Sequence, residues 1–145
     1  MEKELERWCH EVVDFCNPKA EQLNLDYYCF QSAMPTFEPE LLVIGINPGG
    51  CGPFRKVRTK DELSQGYNIY DVREGHICPD NLKMVRKLSR GFTTPLLQNA
   101  LATATTMNIY YFNTQNVQKM NSVLNQEIRI FCQQKLRELI HIVKP

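Results

Sequence analysis

Two asparagines follow the two stretches of the chain that most resemble β-strands. Asn47 comes after the apolar run 41–46, and Asn113 comes after the aromatic run 109–112. Because ligands bind beyond the carboxyl ends of parallel strands, both side chains can face one crevice. An amide carries both a donor and an acceptor, so it can form hydrogen bonds with a ligand in that crevice. Each asparagine could instead do no more than end its strand.

The loop after the first of these strands is rich in glycine and proline, beginning Gly45-Ile46-Asn47-Pro48-Gly49. Glycine lets backbone N–H groups approach a ligand closely, and such loops cradle anions. The Gly-Lys-Ser/Thr ending of a Walker A loop is absent, and so is a GxGxxG fingerprint. The loop therefore favours neither a nucleoside triphosphate nor a dinucleotide as its ligand.

The charges are unevenly distributed, although the formal net charge is only +1. Residues 1–40 hold three Lys or Arg against nine Asp or Glu, whereas residues 41–90 hold nine against five. This basic excess begins at the glycine-rich loop and is compatible with a phosphate-bearing partner. We predict phosphate contacts for Arg55, Lys56 and Arg58, although a solvated loop would have the same composition.

The hydrophobic pattern predicts the elements that position these residues. Apolar periodicity predicts helices at 3–16, 80–90, 95–106 and 122–142. Apolar and aromatic runs predict strands at 41–46 and 109–112, with a short edge strand at 26–32. The first of these strands is apolar on both faces, which is typical of a covered, central parallel strand. The order indicates an α/β fold with a long loop at 49–79.

Several residues are assigned structural roles. Asn17-Pro18 is expected to end the first helix, and Ser122 is expected to cap the last one. Trp8, Tyr27-Tyr28 and the pair Cys9 and Cys16 are expected in the core. The six cysteines have wide, irregular spacings, so we predict reduced thiols and no metal site or cofactor.

The octapeptide 42–49, Leu-Val-Ile-Gly-Ile-Asn-Pro-Gly, resembles motif 1 of the uracil-DNA glycosylase superfamily, in its mismatch-specific and single-strand-selective branches. The order of elements also resembles the N-terminal two-thirds of that fold. The resemblance implies a three-layer α/β/α domain with a short parallel central sheet, spanning residues 1–145. The family's second motif would then lie beyond Pro145, so the chain is expected to be incomplete at its C-terminus.

The resemblance implies a role for each matched residue. Asn47 would position the water that attacks the anomeric carbon of the sugar, and Asn113 would read the pyrimidine edge. Backbone around Ile46 and Gly49 would border the base pocket, and Phe54 would stack on the flipped base. The implied function is a DNA base-excision glycosylase that acts as a monomer on uracil or a related damaged base.

Two other functions fit the same residues. The fold could bind a nucleobase or nucleic acid without cleaving it, or it could bind a small phosphorylated ligand, and Phe54 could be a buried loop anchor. The N-terminus lacks the apolar centre of a signal peptide, and no apolar run approaches the roughly 18–20 residues of a membrane span. We therefore expect a cytoplasmic protein.

Overall fold

The computed structural model describes residues 2–30, 37–47 and 87–145. Its elements are, in chain order, α1 (Glu2–Leu23), β1 (Leu42–Gly45), α2 (Pro95–Ala102), β2 (Thr105–Asn108), α3 (Val117–Val123) and α4 (Gln126–Val143). Helices and a parallel strand pair confirm the predicted α/β class. Residues 87–89 are also helical, but the rest of the helix predicted at 80–90 and the loop predicted at 49–79 lie outside the described residues. None of the described helices combines the length and apolar character that a membrane span requires.

The two strands form a short parallel pair, in which Leu42 lies opposite Thr105 and Gly45 lies opposite Asn108. The strand predicted at 41–46 is thus confirmed in place and direction. Its two faces are covered unequally, because Val43 is buried whereas the next residue, Ile44, is 40% exposed. Successive side chains of a strand point to opposite faces, so the even coverage predicted for this strand is wrong.

The second strand begins at Thr105 rather than at residue 109, so that prediction was wrong. The helix predicted at 95–106 ends at Ala102, which leaves residues 105 and 106 to pair with β1. The aromatic residues Tyr111 and Phe112 leave the strand pair and are almost fully buried. The high β-propensity of these aromatic residues therefore coincides with burial in the core and does not indicate the position of the paired strand.

Residues 26–30 run antiparallel beside the second strand without forming the continuous edge strand that was predicted. They make isolated bridges between Tyr27 and Phe112 and between Phe30 and Met107. All five residues of the segment are buried, which confirms Tyr27 and Tyr28 as core. The segment therefore closes this edge of the sheet through both burial and backbone hydrogen bonds, such as those from Asn108 N to the Cys29 carbonyl at 3.1 Å and from Tyr28 N to the Tyr111 carbonyl at 2.6 Å.

Helix α1 continues through Pro18, which was expected to end it. The proline removes one backbone hydrogen bond on an exposed face of the helix. Beyond it, Ala20 is fully buried and Leu23 packs against the core. The helix ends instead at Leu23, and the following Asn24 has a left-handed φ of 49°, with its N–H donating to the Glu21 carbonyl at 3.2 Å. Burial of the last turn thus outweighs the local cost of proline.

The last helix begins one turn later than predicted. Asn125, not Ser122, is the N-cap of α4, and its Oδ1 accepts a hydrogen bond from Ile128 N at 2.9 Å. Ser122 lies inside the short preceding helix α3. Ile128 and Leu139 of the predicted apolar face are buried, together with Cys132 and Val143.

Helices α1 and α4 pack against each other over the aromatic core. Trp8 is 2% exposed, and its Nε1 donates to the Lys135 carbonyl at 2.8 Å. Phe15 and Phe131 stack with ring centroids 3.7 Å apart. Cys9 and Cys16 are buried free thiols, as predicted, and burial, followed by the charge of Glu6, raises the pKa of Cys9 to about 12. Such buried thiols are core residues and poor nucleophiles.

Lys135 joins the same two helices through charge. Its side chain is only 7% exposed, and its Nζ donates to Glu11 and, at 2.6 Å, to Glu138. Burial alone would lower the pKa of Lys135, but these hydrogen bonds outweigh it and raise the pKa. Burial alone would raise the pKa of Glu138, but hydrogen bonds from Lys135 and Gln134 outweigh it and lower the pKa.

The pairing predicts a loss of stability at both ends of the pH range. The Glu138 contribution is present above its unfolded pKa and is lost as pH falls through its lower, folded pKa. The Lys135 contribution is present below its unfolded pKa and is lost as pH rises through its raised, folded pKa. Each loss should be at most about 1 kcal/mol, because the carboxylates are more than a third exposed.

Urea unfolding at graded pH measures these losses. The Lys135→Met variant should flatten the pH dependence of the free energy of unfolding. The control Lys19→Met removes an ion pair with the exposed Glu127 and should leave that pH dependence unchanged. Identical pH profiles for wild type and Lys135→Met would contradict the assignment.

Candidate functional site

The two parallel strands end at the same edge, and their backbones stay bonded just beyond it. Ile109 N donates to the Gly45 carbonyl at 2.8 Å, and Tyr110 N donates to the Ile46 carbonyl at 2.9 Å. Asn47 therefore leaves the sheet directly beside Tyr110. This carboxyl edge is where parallel α/β sheets hold their ligands.

The side chain of Asn47 is fixed by Thr114. Its Nδ2 donates to Thr114 Oγ1 at 2.9 Å and to the Thr114 carbonyl at 3.2 Å. A carbonyl oxygen can only accept, so this contact defines which end of the amide is nitrogen. Thr114 Oγ1 donates in turn to the Asn116 carbonyl at 3.2 Å. A relay of three residues thus ties the end of β1 to the start of α3 and sets the orientation of the Asn47 amide.

Asn113 lies next to this relay. The prediction that it closes the second strand is wrong. Asn108 closes it, and Asn108 is fully buried opposite Gly45. Asn113 follows the buried Phe112, and its N–H donates to the Asp26 carbonyl at 2.9 Å. The expected nearness of the two asparagines thus arises through Thr114, which touches Asn47 and directly follows Asn113.

The amide oxygen of Asn113 is buried, and no described residue donates a hydrogen bond to it. A buried acceptor without a donor costs free energy, so such an atom is suited to a ligand that brings a donor. The role of base reader for Asn113 stays a prediction, but this atom is available for it.

The remaining predicted residues divide into one that is described and five that are not. Ile46 is 49% exposed, so it presents an apolar side chain at the edge of the site beside Asn47. The residues predicted to border the base, stack on it or bind phosphate on the following loop lie outside the described residues: Gly49, Phe54, Arg55, Lys56 and Arg58.

Thr114 was missed by the sequence analysis. It is 1% exposed and provides both acceptors for the Asn47 amide. The polar run that begins at Asn113, directly after buried aromatic residues, was the available signal. This run indicates Thr114 as a polar neighbour of Asn113, whereas the contact between Thr114 and Asn47 follows only from the fold.

The described part of this site contains amides, a hydroxyl and backbone groups. Among the described residues, no group of three or more His, Cys, Asp or Glu side chains is arranged to hold a metal ion. An amide can orient a water molecule or a base edge, but it cannot act as a strong base. The arrangement therefore favours chemistry in which positioning, not proton abstraction, is the main contribution of the protein.

No family model, curated protein or solved structure matches this chain. The likeness to glycosylase motif 1 depends on the octapeptide 42–49 and on the order of elements. A function for the site must therefore come from the geometry of Asn47, Thr114 and Asn113.

Proposed function

We propose that this chain is a DNA glycosylase-like protein that hydrolyses the N-glycosidic bond of uracil or a related damaged base. A three-layer, uracil-DNA-glycosylase-like fold is part of the proposal. One observation carries it: the Asn47 amide is held in a fixed orientation by Thr114 at the carboxyl edge of the parallel strands. A fixed amide at this edge is what water positioning requires.

The proposed reaction needs no strong base. A water oxygen bonds to C1′ of the deoxyribose while the bond from C1′ to the base nitrogen breaks, and the electron pair of that bond leaves with the base. The attacking water then loses a proton to solvent. Because Nδ2 of Asn47 donates to Thr114, the end of the amide that would accept a hydrogen bond from the water is Oδ1.

Base selection is proposed for Asn113 and Ile46. Uracil presents an N–H donor on its pairing edge, which matches the buried Oδ1 acceptor of Asn113. Cytosine presents an unprotonated ring nitrogen at the same position, so it would leave that acceptor unsatisfied. The exposed side chain of Ile46 would cover one side of the base.

The proposal is tested by incubating the purified chain with oligonucleotides that carry either one uracil or one cytosine at the same position. Uracil DNA should yield free uracil and an alkali-labile abasic site. Cytosine DNA should yield neither, because cytosine lacks the N–H donor that the Asn113 acceptor requires. Binding without release of any base would favour the alternative, a nucleic-acid-binding module of the same fold. Absence of both binding and release would contradict both functions.

Thr114 should act as a positioning residue for Asn47. The Thr114→Val variant keeps the shape of the side chain but removes the hydroxyl that accepts from Asn47, while the backbone acceptor stays. We expect the single-turnover rate of uracil release to fall about tenfold, as for loss of one hydrogen bond.

The matched control is Thr114→Ser, which keeps the hydroxyl and should restore a rate near that of the wild type. Melting temperatures of both variants establish that each is folded. A wild-type rate for folded Thr114→Val would refute the positioning role.

A further inference from the structure

Arg129, in the first turns of α4, has a guanidinium group that is held in place from three directions. Its Nε donates to the Leu124 carbonyl at 2.9 Å, and its Nη2 donates to Asn121 Oδ1 at 3.0 Å. Its Cζ lies 5.5 Å from the centroid of the Tyr110 ring. The side chain is therefore already ordered before any ligand arrives.

All of these partners are neutral. Residues 91–145 contain five Lys or Arg but only two Asp or Glu. Those two acids are paired elsewhere, since Glu127 bonds to Lys19 and Glu138 bonds to Lys135. In the described part of the chain, no carboxylate forms an ion pair with Arg129. A guanidinium has five N–H donors, so several of them are available to an anion.

The tyrosine beneath Arg129 connects it to the candidate site. Tyr110 N donates to the Ile46 carbonyl at 2.9 Å, and Ile46 directly precedes Asn47. At the other end of the ring, the Tyr110 hydroxyl accepts from Gln133 Nε2 at 2.8 Å. The hydroxyl end of the ring is thus fixed, and Arg129 lies over the ring of a residue whose backbone is bonded to the edge that carries Asn47.

We propose that Arg129 binds a backbone phosphate of a DNA strand whose neighbouring nucleotide lies at Asn47. This inference rests on the proposed function only for the nucleotide at Asn47, because phosphate binding requires no cleavage. Each strand of DNA carries a phosphate about every 3.4 Å along the helix axis. The phosphates on either side of a nucleotide bound at Asn47 would therefore lie close to the residues that border that nucleotide. A planar guanidinium matches two phosphate oxygens, and an ordered one loses little freedom on binding.

The test is the salt dependence of binding to a fluorescent, uracil-containing single-stranded oligonucleotide, followed by fluorescence anisotropy. Arg129→Gln should raise the dissociation constant about tenfold and reduce the slope of log K against log salt by about 0.7. Arg129→Lys keeps the charge but not the planar fork, so it should keep the slope and bind with intermediate affinity.

Arg137→Gln is the matched control, since Arg137 is an exposed arginine on the same helix. It should leave both the affinity and the slope unchanged. Circular dichroism melting establishes that each variant is folded. If Arg129→Gln fails to fold, Arg129→Lys answers the question by its affinity, which should be weaker than that of the wild type at an unchanged slope, whereas a wild-type affinity would overturn the contact.

Uracil release, measured on the same samples, separates this inference from the proposed function. Wild-type binding without release would refute the glycosylase proposal, whereas a reduced slope for Arg129→Gln would still support the phosphate contact. Wild-type affinity and slope in folded Arg129→Gln would overturn the contact. It would also be overturned by wild-type protein that shows no salt-dependent binding to DNA.

Discussion

Asn47→Ala is expected to lower the single-turnover rate of uracil release by about 10²–10³-fold, the usual effect of deleting one fixed polar group at a reacting centre. The substitution removes the amide oxygen that would hold the attacking water, and the water then has no defined position relative to C1′. The affinity for DNA should change little, because the proposed phosphate contact of Arg129 is unaffected. The loss should therefore appear in the rate at saturating protein.

The control for this substitution is Asn99→Ala, which truncates an exposed asparagine on α2. It should release uracil at the wild-type rate. Melting temperatures show whether a slower release of uracil reflects a slower reaction or a smaller amount of folded protein. A folded Asn47→Ala variant that releases uracil as fast as the wild type would remove Asn47 from the reaction.

Trp8→Ala is expected to lower the free energy of unfolding by about 3–5 kcal/mol, as for other large buried aromatic residues. Trp8 is 2% exposed and packs against Phe30 and Tyr111, with ring centroids 5.7 and 6.2 Å away. Its indole also donates the hydrogen bond that joins α1 to the Lys135 carbonyl of α4. The variant would leave a cavity at the centre of the aromatic core.

Urea unfolding measures this loss, and circular dichroism must follow it because Trp8 is the only tryptophan of the chain. Leu96→Ala serves as the control, since Leu96 is 72% exposed and its truncation should change stability by less than about 0.5 kcal/mol. Equal losses in the two variants would show that the core is not organised around Trp8.

The first strand could be predicted from the sequence, whereas the second could not. The run 41–46 is short, apolar and rich in β-branched residues, and these are local properties of the strand itself. Thr105–Asn108 has a weaker strand pattern than the aromatic run after it. Its position is decided by its pairing with β1 and with residues 26–30, and such tertiary contacts override local propensity.

The helix boundaries differ from prediction for the same reason. Pro18 and Ser122 are local signals for a helix end and a helix start. The burial of Ala20 continues α1 past the proline, and Asn125 provides a cap at the position where Ile128 can be buried. Local rules set preferences of a few kcal/mol at most, and packing of the core decides among them.

The candidate site could be predicted only in outline. The rule that ligands bind beyond parallel strands placed Asn47 near the segment that contains Asn113. The residue that actually holds Asn47 is Thr114, 67 positions away in sequence, and no local pattern reports such a contact. Among the described residues, Arg129 is likewise connected to the site through Tyr110, whose ring it covers and whose backbone N–H donates to the Ile46 carbonyl.

The most direct test of the proposed function is the intact mass of a uracil-containing oligonucleotide after incubation with the unmodified chain. The expected product has lost uracil and gained the elements of water, with an equal amount of free uracil in solution. An oligonucleotide that the protein binds but whose mass is unchanged would contradict glycosylase activity.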